Sequence, residues 1–257
     1  MRYEMLGSLK VKREDLVTTV SAPKTELLLA TLLVRAGQVV SSDQLGREIW
    51  GDEPPRRTMA AMHVHISQLR KLLGGSGRGT SPVETRSPGY LLRLGADDEL
   101  DVAEFRRLVE SGREVGELGH YEESSRLLGK ALDLWRGTVP EHWQGGPILG
   151  EFVTWAEEAR LECLELKLNA DLCLGRDREL IAMLRSLVTE HPLREAFHRQ
   201  LMLALYRADR QGDALKVYQY ARETLDRELG VGPGRALREI YQAILTCDGT
   251  LELRAAA

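Results

Sequence analysis

The sequence predicts an α+β N-terminal winged helix-turn-helix over residues 1–95, followed by an all-α, tetratricopeptide-like helical-repeat domain over residues 101–250. Three observations carry this. Residues 1–95 hold three helical segments among short β-branched runs, and two such runs flanking Ser87-Pro88-Gly89 come just after the third helix. From about residue 102 to residue 245 every segment has helical periodicity, in pairs of about the tetratricopeptide length of roughly 34 residues. Charge divides the same way: residues 1–95 carry 14 basic and 9 acidic side chains, the rest of the chain 21 and 30. A basic first part joined to an acidic second part suggests a nucleic-acid reader coupled to a protein-interaction module, and 257 residues suffice for two domains.

The elements follow in order. Residues 1–20 alternate weakly and carry β-branched residues, with turns at Gly7-Ser8 and Glu14-Asp15, which predicts a small antiparallel sheet. Ser21-Ala-Pro-Lys-Thr25 opens a helix, with Pro23 near its first turn, an apolar body over Leu27–Ala36 and a stop at Gly37. A short strand at Gln38–Val40 leads to the N-cap cluster Ser41-Ser-Asp43 and a brief helix, Gln44–Trp50. One amphipathic helix is read across Pro54–Leu73. Gly74–Gly79 reads as a flexible loop, and Pro82–Arg86 and Tyr90–Leu94 as two strands.

The helix Pro54–Leu73 has an unusual outer face. Met59, Met62, Ile66, Leu69 and Leu73 form a stripe that should pack on a core. Opposite lie Arg57, Ala60, Ala61, Val64, Ser67, Gln68 and Lys71, with no acid among them. A short, acid-free face of this kind suits a DNA major groove. Small side chains permit close approach, Val64 suits a thymine methyl, and Gln68 suits a base edge. Arg57, Arg70 and Lys71 are placed to reach phosphates. Arg56-Arg57 at a helix start is unfavourable to the helix dipole, which favours an external anion there.

Beyond the acidic link Gly95–Leu100, Asp101 and Glu104 have the spacing of a capping box. Helices are predicted at Val102–Leu118, Tyr121–Trp135, Gly150–Leu174, Asp177–His191, Leu193–Ala208, Gln211–Leu229 and Arg235–Leu245. Cys163, Cys173 and Cys247 are too scattered for a disulfide framework or a metal pair and read as buried small hydrophobes. Trp135, Trp143 and Trp155 read as core residues, and Glu157, Glu158, Glu162 and Glu165 as a solvated helix face.

Other classes lack their motifs. The Gly-rich loop has no Gly-Lys-Ser/Thr ending for a nucleotide phosphate. His63 and His65, two apart on a helix, point to different sides and do not suit a shared metal. No nucleophile set or paired carboxylates can be assembled, so the expectation is no enzyme, no cofactor and no metal. The N-terminus lacks an apolar signal-like stretch and no window is of membrane-spanning length. The expected location is the cytoplasm, at the nucleoid.

Two motifs resemble a known family. MHVHISQLRKLL followed by VETRSPGYLLRL is similar to the recognition helix and wing of the OmpR/PhoB-type winged helix, with Val64, His65, Ile66, Leu69 and Arg70 matching the helix and Arg86, Gly89 and Tyr90 the wing. Trp50-Gly51 resembles the Trp-Gly that closes the preceding helix. In relatives this domain usually follows a receiver domain; here a helical domain follows it. That order, with Arg227–Gly234 near the end, resembles the small form of the Streptomyces antibiotic regulatory protein family, whose second part is a bacterial transcriptional activator domain.

The resemblance implies a transcriptional activator of secondary-metabolite genes. Its partners would be double-stranded promoter DNA with direct repeats near the −35 region and RNA polymerase holoenzyme through its sigma, alpha and beta subunits. It would bind as a tandem homodimer and would not meet a membrane. By position in the motif, Val64 and Gln68 would face bases, while His65, Ser67 and Arg70 would contact phosphates. Thr25 would hold a phosphate through its hydroxyl and backbone N–H. Trp50 would pack on the DNA backbone, Arg86 would enter the minor groove, and Arg56, Arg57, Lys71 and Tyr90 complete the set. Many relatives have Arg where this chain has Gln68, so their base preference does not carry over. The competing reading is a helical-repeat adaptor whose winged helix binds protein.

Overall fold

A computed structural model describes residues 1–14, 16–20, 22–74 and 81–252. Most of the Gly74–Gly79 loop, Asp15 of the first turn and Ser21 before the first helix lie outside the described residues. The chain forms two compact units: residues 1–108 with 131–161, and residues 109–130 with 162–257.

The first unit opens with strands β1 (Arg2–Glu4), β2 (Lys10–Arg13) and β3 (Leu16–Thr19), an antiparallel meander. Helices α1 (Pro23–Val34), α2 (Ser42–Trp50) and α3 (Thr58–Gly74) follow, with strand β4 (Val39–Ser41) between α1 and α2. Strands β5 (Val83–Arg86) and β6 (Gly89–Leu92) form the hairpin, and β4 adds to it in the order β4-β6-β5. This is the winged helix-turn-helix.

Local chemistry sets these boundaries. Pro23 sits in the first turn of α1, where its missing N–H costs nothing. Ser41 and Gln44 form a reciprocal capping box at the start of α2, satisfying two otherwise free N–H groups. Helix α3 starts at Thr58, not at Pro54. Pro55 disfavours helical backbone at Pro54, so residues 54–57 stay outside the helix. Met62, Ile66, Leu69 and Leu73 are buried as the stripe requires, but Met59 in the first turn is 50% exposed.

Two parts of this unit have no local sequence signal. The link holds a short strand, β7 (Glu99–Leu100), which pairs parallel with β1. The second is residues 131–161, which pack with the winged helix in the same unit. The indole N–H of the fully buried Trp143 donates to Glu26 at 3.1 Å. The buried carboxylate of Glu48, on α2, accepts the N–H groups of Ile148 (2.7 Å) and Leu149 (3.2 Å). Those are free first-turn donors of helix α6 (Pro147–Cys173), so a side chain 100 positions away caps it. Asp101 is the first residue of helix α4 (Asp101–Glu117) and does not form the capping box its spacing suggests. Its carboxylate instead accepts the buried N–H groups of Met5 and Leu6.

The second unit draws on α4, α5 (Tyr121–Asp133) and α6, then α7 (Asp177–Glu190), α8 (Glu195–Arg207), α9 (Gln211–Leu229) and α10 (Arg235–Leu245). Three of its turns are copies of one another. Gly119, Gly175 and Asp209 all have positive φ, and each stands two residues before the next helix. In each, the following N–H reaches back five residues: His120 to Val115, Arg176 to Asp171, Arg210 to Leu205. This left-handed helix stop, repeated, is the structural form of the helical repeat. Of the cysteines, Cys163 is buried but Cys173 and Cys247 are exposed, because both lie at or beyond helix ends.

His198 in α8 is fully buried. One ring nitrogen, Nε2, donates to Pro192 O at 2.9 Å, while Nδ1 is buried without a hydrogen-bond partner. Burial lowers its pKa below the ordinary 6.5, against the opposing pull of the Pro192 carbonyl and Glu195. The unfolded chain therefore takes up the proton first. Stability rises with pH up to about 6.5 and is lost on acidification below it. The urea midpoint is expected to fall between about pH 7 and about pH 5, less so in His198→Gln. An equal fall in that variant would remove His198 from the account.

Candidate nucleic-acid interface

The outer face of α3 is bare in the structure. Val64 is 54% exposed, and Ser67, Gln68 and Lys71 are exposed beside it. Arg56 and Arg57 are exposed in the turn before the helix. The wing hairpin presents Arg86, also exposed, next to the turn at Ser87-Pro88. The wing turn is tied to α2: the N–H and hydroxyl of Ser42 both donate to Pro88 O, at 3.2 and 3.3 Å.

Thr25, Trp50, His65 and Gln68 come together at one end of this face. The Thr25 hydroxyl lies 3.0 Å from Gln68 Oε1, to which it donates, and 3.1 Å from His65 Nδ1. The His65 ring is 6.1 Å from that of Trp50, and the Lys24 ammonium stands 5.7 Å over the Trp50 ring, at cation–π distance. Burial chiefly, with the charge of Lys24, lowers the pKa of His65, while the neighbouring Gln68 side chain acts in the opposite sense. His65 is therefore neutral at pH 7.

Thr25, Arg70 and Tyr90, all expected contact residues, are engaged within the fold. Thr25 is 3% exposed, its N–H already bonds Ala22 O, and its hydroxyl is taken by Gln68 and His65. Neither group is free for a phosphate. Arg70 donates from Nε to Val83 O (3.0 Å) and from Nη2 to Thr85 Oγ1 (2.8 Å), fastening α3 to β5. Tyr90 is 4% exposed in the central strand of the hairpin sheet, paired with Val40 on one side and Thr85 on the other. It packs the wing from inside.

Sequence reasoning missed two contributors. One is Lys24, beside Trp50. The other is Glu84, whose carboxylate accepts from Arg86 at 2.8 Å and Arg93 at 2.8 Å. The hydrogen bond from Arg93, then that from Arg86, holds the Glu84 carboxyl below the usual carboxylate range. Both contacts had a signal. Glu84 and Arg86 are two apart on one strand and so share a face; Glu84 pairs across from Leu91, which puts Arg93 on the diagonal. Among the described residues there is no cluster suited to a metal ion, and no helix is long and apolar enough to cross a membrane.

Comparisons with known proteins match this architecture. Residues 100–245 match the bacterial transcriptional activator domain, and residues 17–92 match the family described as transcriptional regulatory protein, C terminal. Regulatory protein DnrI of Streptomyces peucetius is 35% identical over 96% of this chain and 93% of its own length. Transcriptional regulator RedD of Streptomyces coelicolor is 36% identical over the whole chain and 73% of its own. Regulatory protein AfsR of Streptomyces coelicolor is 38% identical over the whole chain, which spans only 25% of that protein. The solved structure of Mycobacterium tuberculosis EmbR in complex with a low affinity phosphopeptide superposes with a TM-score of 0.88 at 32% identity, covering 96% of this chain and 65% of that one.

Proposed function

Because the chain belongs to the Streptomyces antibiotic regulatory protein family of transcriptional activators, we propose that it activates a secondary-metabolite biosynthetic gene cluster by binding direct repeats near the promoter −35 region and recruiting RNA polymerase. The observation that carries this reading is the exposed, acid-free face of α3 around Val64 and Gln68, flanked by cations. In the proposed complex α3 enters the major groove. Val64 and Gln68 meet base edges; Lys71, Arg56, Arg57 and Ser67 meet phosphates; His65 and Trp50 border the backbone. Arg86 leaves Glu84 for the minor groove as the wing docks. Tandem protomers on repeats one helical turn apart, about 10–10.5 bp, lie on one face of the DNA.

Gel-shift titration across a salt series tests it. Gln68→Ala is expected to cost about 1–3 kcal/mol of discrimination at one base pair, and Lys71→Ala to weaken binding uniformly and lower the salt slope by about 1. Arg86→Ala is expected to weaken binding through the wing. Variants that all bind promoter DNA like the wild type would overturn the assignment of helix and wing.

A further inference from the structure

We infer that Thr25 is a specificity-determining residue that acts through Gln68: its hydroxyl holds the side-chain oxygen of Gln68, so that α3 offers DNA only the amide N–H donors and reads guanine in preference to adenine. The inference rests on the proposed docking of α3 in the major groove and deepens it.

The hydrogen bonds run in one direction. Thr25 Oγ1 has a single proton, and it points to Gln68 Oε1, 3.0 Å away. His65 Nδ1 lies 3.1 Å from the same Oγ1. With the hydroxyl proton spent on Gln68, the ring nitrogen must be the donor there. Neutral His65 has one N–H, so it is the Nδ1–H tautomer that closes the chain: His65 Nδ1–H to Thr25 Oγ1, Thr25 O–H to Gln68 Oε1. Thr25 is buried in the first turn of α1 and cannot swing away. The oxygen of Gln68 is therefore held toward buried Thr25, which leaves the NH₂ group of this exposed residue as the end of the amide to meet DNA.

A free glutamine suits adenine, giving one hydrogen bond to N7 and taking one from the N6 amino group. The second of these needs Oε1. With Oε1 turned toward Thr25, which is buried, the amide meets the groove through its NH₂ end, and an adenine N6 donor meets another donor. Guanine shows two acceptors, O6 and N7, and an NH₂ group satisfies them without turning over. Reading adenine requires turning the amide over, which breaks the Thr25 bond. One hydrogen bond of this kind corresponds to a preference of about three- to tenfold.

The test is selection from a randomised duplex library with the full chain, followed by sequencing, for wild type, Gln68→Ala, Thr25→Val and Thr25→Ser. Gln68→Ala identifies the base pair that this side chain reads. At that pair the wild type is expected to favour guanine over adenine by about three- to tenfold. Thr25→Val, which keeps the shape and removes the hydroxyl, is expected to erase the preference, and Thr25→Ser to keep it. A thermal melt of each variant checks the fold. If Gln68→Ala shifts no position, the docking of α3 itself is wrong. If it marks a position where the wild type favours adenine, or where Thr25→Val leaves the preference intact, the docking stands and the role of Thr25 is overturned.

Discussion

Gly89→Ala is expected to destabilise the first unit by at least about 3 kcal/mol and to remove DNA binding with it. A Cβ at this position would lie 1.9 Å from Val40 O, 2.7 Å from Ser41 Cα and 2.8 Å from Val40 C. All three are backbone atoms, so no side-chain rotation relieves the clash. Strands β4 and β6 would have to part, and their three paired positions, Val39 with Leu91, Val40 with Tyr90 and Ser41 with Gly89, would be lost. The buried Tyr90 would lose its paired neighbour Val40. The wing hairpin depends on that sheet, and so does the presentation of Arg86. Urea unfolding of the variant should show a lowered midpoint. Ser87→Ala, two residues away and exposed, should stay within about 0.5 kcal/mol of the wild type. An unchanged midpoint in Gly89→Ala would contradict the strand pairing described here.

Asp101→Ala is expected to cost about 3–5 kcal/mol. The side chain is fully shielded from solvent and accepts the N–H of Met5 (2.8 Å), the N–H of Leu6 (3.0 Å) and Nη1 of Arg136 (3.1 Å). Truncation leaves two buried backbone donors unsatisfied and strips a partly buried cation of one of its anions. Arg136 has little reserve: Nε and Nη2 are buried without hydrogen bonds, although Glu4 Oε2 lies 3.3 Å from Nε as an ion pair. The loss falls where β1 meets the start of α4, so the first unit should unfold at markedly lower urea. Asp97→Ala, four residues earlier and exposed, should change little. If the two alanine variants unfold alike, Asp101 does not hold the sheet to α4.

That contrast shows what was legible. In the run Asp97-Asp-Glu-Leu-Asp101 nothing local separates a solvated acid from one buried under two backbone amides; the separation comes from Met5 and Leu6, 95 or more positions away. The same holds for Glu48 capping α6, for Trp143 donating to Glu26 and for the two-residue strand β7. Helices, by contrast, write themselves into spacing. Gln211–Leu229 and Arg235–Leu245 have the predicted ends, and the break between them is marked by the glycines of residues 230–234.

The candidate site divides along the same line. Exposure of Val64, Gln68 and Lys71 follows from helical period alone. The inward turn of Tyr90 follows from its place in a central strand, and the engagement of Thr25 from the crossing of α1 and α3. Neither is a property of a short segment. Family motifs marked both positions without saying which way their side chains face.

The central claim is that the outer face of α3 reads base edges in the major groove. A hydroxyl-radical footprint on the promoter of the adjacent gene cluster, combined with methylation interference at guanine N7, tests it most directly. The account expects protection of direct repeats at intervals of about 10–10.5 bp on one face of the duplex, with N7 interference inside each repeat and a base preference at one of its positions that Gln68→Ala loses. Protection without a repeat, or a Gln68→Ala variant that keeps the wild type's base preference at every position of the repeat, would contradict it.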